Sequence, residues 1–191
     1  MELIYAPQQA LQRLISGNQI YLRTCRNPAD ISPKIRRATA QHGQRPFAAV
    51  LSCSDSRVPP EHIFSAGIGE LFAVRTAGNA VGDLELGSLE YAAQHLHIPL
   101  ITIMGHTRCG AVEAAMNGCA HGYIRAVVHE IQLGLDGATT EGEAIRNNIL
   151  HSGQRVMQSE MLRAYREAGQ LMVVCAEYDI ETGAVRFFDG C

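Results

Sequence analysis

The stretch FAAVLSCSDSR, residues 47–57, decides the fold of this 191-residue chain. Residues 47–51 are continuously apolar, which is typical of a strand buried on both faces in a parallel sheet. The stretch LITIMGHTRCG, residues 100–110, repeats the pattern, with His106 and Cys109 after its own apolar run. We therefore expect Cys53 and His106 at the points where two strands end and loops begin, which is where open α/β sheets bind ligands.

The rest of the chain alternates strand-like and helix-like segments. Strands are predicted at 71–75, 98–104, 171–176 and 184–188, and helices at 83–95, 110–116, 123–135 and 141–168. A short helix is expected from Pro59, and one more in the connector 26–46. Residues 1–25 read as a helix that is interrupted at Gly17-Asn18, and Ser152-Gly153 is expected to bend or divide the long helix.

This alternation predicts an α/β fold with a mostly parallel central sheet flanked by helices. We expect a single domain over residues 1–191, in which 1–45 form an N-terminal helical arm and connector. If Cys53 and His106 hold one ion, the first and third strands must be neighbours. The strand order is then 2-1-3-4 with an antiparallel edge strand, and the ion lies at the topological switch point.

Composition narrows the class of protein. The net charge is −3, and the densest basic stretch is short and lacks aromatic residues, so nucleic-acid binding is not expected. No apolar run approaches the roughly 18 residues that a membrane span requires, and no signal peptide is visible. The six cysteines read best as mostly free thiols in a reducing cytoplasm, because a chain of this length does not need a disulfide framework.

Two thiols and one imidazole, from Cys53, His106 and Cys109, make a three-ligand set that leaves a fourth position open. Soft and borderline ligands of this kind favour zinc. The alternative is a closed structural zinc site with a fourth protein ligand, for which Cys119, His62 and His121 are the candidates. Structural zinc sites usually contain two closely spaced pairs of ligand residues. Only one such pair, His106-x-x-Cys109, is present here, which disfavours a structural site.

Asp55 and Arg57 follow Cys53 on the same loop. A guanidinium can grip a carboxylate at two points, so Arg57 is expected to fix Asp55 beside the open metal position. Asp55 would then accept a hydrogen bond from a zinc-bound water. The alternatives are a local ion pair that only stabilises the loop, or Asp55 as a fourth ligand that closes the site.

The two metal segments, residues 53–57 and 105–112, resemble the signature segments of β-class carbonic anhydrases. The resemblance extends over LFAVRTAGN (71–79), GSLEYA (87–92) and AEYDIETG (176–183), and so covers nearly the whole chain. It implies zinc ligands Cys53, His106 and Cys109, with Asp55 and Arg57 as the catalytic dyad. Ala77 departs from the pattern, since some members carry a larger Val there.

The same resemblance implies a substrate pocket at Gln44, Phe72 and Tyr91, partly supplied by a neighbouring subunit, with the Gly110 amide facing a substrate oxygen. The implied activity is the reversible hydration of carbon dioxide to bicarbonate and a proton, by a homodimer or homotetramer with one Zn2+ per subunit. Two alternatives stay open: hydrolysis of carbon disulfide or carbonyl sulfide on the same centre, and a non-catalytic zinc or redox-sensing module. Dinucleotide binding is disfavoured because no Gly-x-Gly-x-x-Gly run follows a strand.

Overall fold

A computed structural model describes residues 5–24, 26–118, 120–188 and 190. Its centre is a five-stranded sheet in the order β2-β1-β3-β4-β5. The strands are β1 (Ala48–Cys53), β2 (Leu71–Thr76), β3 (Leu100–His106), β4 (Met172–Tyr178) and β5 (Val185–Phe188). The first four are parallel and β5 runs antiparallel to β4. The predicted α/β class, strand order and antiparallel edge are confirmed.

Eight helices are described around this sheet. They are α1 (Pro7–Arg23), α2 (Pro33–His42), α3 (Pro60–Ile63), α4 (Asp83–Leu96), α5 (Gly110–Met116), α6 (Ile124–Gly134), α7 (Glu141–Met157) and α8 (Glu160–Glu167). A single 3-10 turn, Ala77–Asn79, follows β2. None of the helices that the structure describes is both long and apolar enough to cross a membrane.

Both faces of the sheet are covered, as the unbroken apolar runs require. Along β1, Ala49, Leu51 and Cys53 point to the larger core cluster, which residues of α4 to α8 complete. Ala48 and Val50 point to the opposite face, where residues of α1 and α3 pack. Every residue of β1 and β3 is buried, so the side chains at their carboxyl ends emerge from a rigid layer.

The expected interruption of the first helix at Gly17-Asn18 is wrong, because α1 continues through both residues. A Cβ at position 17 would lie 2.0 Å from the backbone oxygen of Phe64, so glycine allows the helix to touch the end of α3. The Asn18 side chain donates hydrogen bonds to the carbonyls of Ile63 and Gly183. The pair is a packing feature and a polar anchor, not a helix break.

The long helical segment is divided, but not at Ser152-Gly153. Those residues are buried within α7, and the break falls at Gln158-Ser159. There the Ser159 side chain accepts from the Leu162 amide and caps α8. A capping serine is a stronger stop signal than a serine-glycine pair that is packed inside a helix.

The cysteines only partly follow the prediction. Cys53 and Cys109 are free thiols. Cys175, in the middle of β4, is disulfide-bonded. The expectation of mostly free thiols therefore does not hold for Cys175, while Cys25, Cys119 and Cys191 lie outside the described residues.

Candidate metal centre

Cys53, His106 and Cys109 come together at the carboxyl edge of the sheet. Cys53 ends β1, His106 ends the neighbouring strand β3, and Cys109 is the residue that precedes the first turn of α5. Their three ligand atoms all lie within 4.8 Å of one another, and no other such group of His, Cys, Asp or Glu occurs in the described part of the chain. The residues are 4%, 1% and 2% exposed.

The imidazole of His106 is oriented for a metal. Its Nδ1 lies 2.9 Å from the Thr107 carbonyl oxygen, which can only accept, so Nδ1 carries the proton. The other nitrogen, Nε2, is buried and has no hydrogen-bond partner in the described structure. A buried lone pair without a donor is costly unless a cation or donor meets it. The donor set therefore fits a bound metal ion.

The two thiols share a strongly unequal environment. The side-chain hydrogen bond from Cys109 is the main cause that lowers the pKa of Cys53 to about 4, helped by His106 and by backbone amides. The same hydrogen bond, together with burial, raises the pKa of Cys109. Burial has the largest single effect on the pKa of His106 and lowers it, but the neighbouring Cys53, the Thr107 carbonyl and Asp55 together raise that pKa above its ordinary value. A thiolate is thus already favoured at Cys53.

Two backbone amides stabilise that thiolate. The N–H of Gly78 lies 3.2 Å from the Cys53 sulfur and the N–H of Asp55 lies 3.4 Å from it. Arg75, near the end of β2, donates to the carbonyls of Cys53 and Asp55 at 3.1 and 2.7 Å. We did not predict Gly78 or Arg75 as site residues. The signal was available, because β2 is parallel to β1 and its carboxyl end must lie at the same edge.

Asp55 and Arg57 form the two-point ion pair that was predicted. Arg57 donates from Nε to Oδ1 at 3.0 Å and from Nη2 to Oδ2 at 2.7 Å. The backbone N–H of Arg57 also donates to Oδ1 at 2.9 Å, which folds the loop into an Asx turn. These hydrogen bonds from Arg57 lower the pKa of Asp55 to about 2. A further bond from Nη2 to the Arg108 carbonyl ties this loop to the one that carries Cys109.

Among the described residues, no candidate for a fourth protein ligand is supported. Asp55 does not belong to the group of convergent ligand atoms, and Arg57 occupies both of its oxygens. His62 and His121 are also outside that group. The third candidate, Cys119, lies outside the described residues. Three ligands with an adjacent carboxylate are the arrangement seen.

Three of the side chains predicted for the substrate pocket come from β2, from α4 and from the loop before β1. Phe72 pairs with Ala49, four residues before Cys53, which is about 13 Å along the strand at 3.3 Å per residue. The ring of Tyr91 on α4 lies 6.3 Å from that of Phe72, and Tyr91 is 48% exposed. Gln44 is exposed in the loop before β1. Gly110, by contrast, opens α5 directly after Cys109 and is exposed.

Comparisons with known proteins give a consistent result. A family model described as carbonic anhydrase matches residues 48–185. Carbonic anhydrase 2 of Mycobacterium tuberculosis is 32% identical over 189 residues, covering 93% of this chain and 90% of the relative. Carbonic anhydrase 1 of Escherichia coli O157:H7 is 32% identical over 166 residues, covering 77% and 75%.

Solved structures agree in fold. The β-carbonic anhydrase CcaA matches with a TM-score of 0.74 and 27% identity, over 95% of this chain and 89% of that one. The β-carbonic anhydrase CafA of Aspergillus fumigatus matches with a TM-score of 0.73 and 26% identity, over 83% and 82%. Tetrameric β-carbonic anhydrases of Sordaria macrospora share the fold at 23% identity, with a TM-score of 0.71 over 96% and 95%.

Proposed function

The chain belongs to the carbonic anhydrase family and to its β class, and from this premise we propose that Cys53, His106 and Cys109 hold a catalytic zinc ion. The family activity is the reversible hydration of carbon dioxide to bicarbonate and a proton. The single observation that supports this site is the convergence of two buried sulfurs and an unpartnered His106 Nε2 from two separate segments. Zinc in such a site acts as a Lewis acid that lowers the pKa of a bound water.

Asp55 and Arg57 are proposed as the catalytic dyad. With its pKa near 2, Asp55 is ionised at every pH at which the protein would work, so its oxygens can only accept hydrogen bonds. Arg57 fixes the direction of that carboxylate through two hydrogen bonds. A further hydrogen bond to the Arg108 carbonyl connects Arg57 to the loop that carries Cys109. A water that donates a hydrogen bond to Asp55 directs an oxygen lone pair away from the carboxylate. That lone pair can then attack the carbon atom of the substrate. Positioning of this kind is a large part of catalysis.

The pocket for carbon dioxide is proposed to be shared between two subunits. Phe72 lies about 13 Å along the strand from the level of Cys53, and the half-exposed Tyr91 has its ring 6.3 Å from that of Phe72. A two-fold partner placed over this surface would bring Gln44, Phe72 and Tyr91 of one subunit to the metal of the other. We therefore propose a homodimer as the smallest active unit, with residues 1–45 as its helical arm.

Several finer points belong to the same proposal. Zinc, rather than another metal, is supported by the sulfur-rich ligand set. A homotetramer would agree with the Sordaria macrospora relatives, which share the fold. A cytoplasmic location stays a prediction. It was based mainly on the expectation of mostly free thiols, and Cys175 is disulfide-bonded. No feature of the described site favours carbon disulfide or carbonyl sulfide over carbon dioxide.

The direct test is stopped-flow hydration of carbon dioxide with zinc content measured on the same samples. We expect wild-type protein to carry one zinc per chain and to be active, and His106→Gln to lose both. His62→Gln is the matched control, since His62 is an exposed histidine outside the metal group. A zinc-loaded wild type without hydration activity would redirect the assignment to the sulfur-containing substrates.

A further inference from the structure

The 3-10 turn Ala77–Asn79 lies against the sulfur of Cys53. Its middle residue, Gly78, donates its backbone N–H to that sulfur at 3.2 Å. Gly78 has a φ of 65°, and a Cβ there would lie 2.5 Å from Cδ1 of Ile131. Both facts require glycine, because it alone tolerates left-handed backbone without cost and leaves room for close packing. The turn can therefore bring its amide directly onto the metal ligand.

Helix α7 holds this turn through two polar side chains. Asn148 donates from Nδ2 to the Gly78 carbonyl at 2.8 Å. Ser152, one helical turn later on the same face, donates to the Asn79 carbonyl at 3.0 Å and accepts from the Asn79 side chain at 3.2 Å. Asn79 itself has a φ of 48°, in the left-handed region that residues other than glycine and asparagine seldom adopt. Two polar side chains of α7 thus fix two consecutive left-handed residues.

These two side chains are polar on a helix face that is otherwise apolar. Asn148 and Ser152 are each 1% exposed, on a helix whose other buried residues pack into the larger apolar core. Asn148 Oδ1 is buried without a hydrogen-bond partner in the described structure. An apolar residue of similar size would avoid this desolvation cost, whereas only a donor can hold the Gly78 carbonyl.

We propose that Asn148 and Ser152 are positioning residues for the metal centre, acting through the Gly78 amide on the sulfur of Cys53. Hydrogen bonds to a ligand sulfur draw electron density from it and fix its direction, and partners of this kind typically change metal affinity or activity by about 10- to 100-fold. This inference rests on the proposed metal site at Cys53, His106 and Cys109. It adds that α7, far from Cys53 in sequence, sets the donor strength of one ligand.

The test uses Asn148→Ser and Ser152→Ala, with Asn147→Ser as the matched control. Asn147 is the neighbouring residue on α7, and its Nδ2 donates in the same way to a carbonyl, that of Leu135, at 3.0 Å. Asn147→Ser therefore removes the same kind of bond from the same helix without touching the 77–79 turn. Each protein is loaded with cobalt to record the sulfur-to-metal charge-transfer band, and with zinc to measure affinity against a chelator and hydration activity.

We expect Asn148→Ser to move the charge-transfer band to longer wavelength, because a sulfur without its amide donor holds its electrons less tightly. Zinc affinity should fall by about 10- to 100-fold, because the Cys53 thiolate loses a donor that stabilises it and fixes its direction. Ser152→Ala should shift both quantities in the same direction by less, and it serves as the test if Asn148→Ser does not fold. Asn147→Ser should leave the band and the affinity unchanged even where it lowers resistance to urea.

Three results would count against the proposal. An unmoved band and wild-type affinity in both Asn148→Ser and Ser152→Ala would overturn the link from α7 to Cys53. Equal shifts in all three variants would show that any destabilisation of α7 changes the band and the affinity, without a specific link through the 77–79 turn. A wild type that takes up cobalt without any sulfur charge-transfer band would instead overturn the metal site, and this inference with it.

Discussion

Asp55 is held as an acceptor by Arg57, and replacing its charge should separate catalysis from metal binding. We expect Asp55→Asn to keep its zinc, because Asp55 is outside the ligand group, and to lose about 10²-fold or more in carbon dioxide hydration. The amide keeps the size of the side chain, but its NH2 group would face the donors of Arg57 or the incoming water. Stopped-flow rates and zinc content on the same samples measure both effects.

Glu181→Gln is the matched control for this change. Glu181 forms an ion pair with Arg108 at 2.8 Å, on the residue whose carbonyl receives Arg57, but both side chains are mostly exposed. Exposed pairs contribute little, so its activity should stay at the wild-type level. Unchanged activity in Asp55→Asn would exclude Asp55 from the reaction. Loss of zinc in that variant would instead make Asp55 a ligand.

At the scale of single residues, the sequence predicts which side chains carry distinctive chemistry. It does not predict which backbone groups contact those side chains. Cys53, His106 and Cys109 could be found because sulfur and imidazole after buried strands have few other uses. The amide donor of Gly78 carries no such signal, since any residue has an N–H. Its place over Cys53 depends on the left-handed turn and on Asn148, which is 70 residues away along the chain and 2.8 Å away in space.

The start of α7 is a capping box whose loss should be measurable. The Thr140 side chain accepts from the Glu143 amide at 3.2 Å, and the Glu143 carboxylate accepts from the amides of Thr139 and Thr140. We expect Thr140→Ala to lower the free energy of unfolding by about 1 kcal/mol, the usual effect of removing such a cap. Urea unfolding measures it, and Thr140→Ser, which keeps the hydroxyl, should stay close to wild type. Equal losses in both variants would show that the hydroxyl is not what matters.

The same capping box predicts a dependence of stability on pH. The backbone amide of Thr139 is the main cause that lowers the pKa of Glu143 below its ordinary value of 4.5. A lowered carboxyl pKa means that the folded protein favours the charged form. The stabilisation is therefore fully present above about pH 5 and is lost as the pH falls through the lowered pKa.

Comparison with Glu143→Gln isolates this effect, because glutamine can still accept in a capping box but does not titrate in this range. We expect the stability advantage of the wild type over Glu143→Gln to be constant from pH 7 to about pH 5 and to shrink below that. Urea unfolding of both proteins at each pH gives the difference, from which any effect common to both cancels. An advantage that persists unchanged to pH 3 would contradict the assigned shift.

Elements with a strong periodic signal were predicted within a few residues, while the two errors came from glycine. Gly17 and Gly153 were both read as interruptions, and both lie inside helices. At Gly17 the reason is tertiary, since the close approach of Phe64 is invisible along the chain. The order of the first four strands followed instead from one constraint, that two strand ends share an ion, and the antiparallel β5 followed from the hairpin-like turn at residues 179–183.

On the scale of the whole molecule, the shared pocket predicts that two inactive variants can complement each other. In the proposed two-fold dimer, the metal of one subunit would work with Tyr91 of the other. A hybrid of an Asp55→Asn subunit and a Tyr91→Ala subunit then contains one site with both changes and one site with neither. We expect each parent protein to be strongly impaired, and the hybrid purified through two different tags to recover about half of the wild-type activity.

Tyr91 suits this experiment because it is half exposed in the single chain, so that truncation removes little of the core. If each subunit instead used its own Tyr91, every site of the hybrid would carry one change, and its activity would not exceed the mean of the two parents. Doubly tagged wild-type protein gives the reference value, and zinc content shows that both subunits remain loaded. Activity at the mean of the parents would place the pocket within one chain. The distance of about 13 Å along β2 from Phe72 to the end of the strand is the reason that we expect the shared arrangement instead.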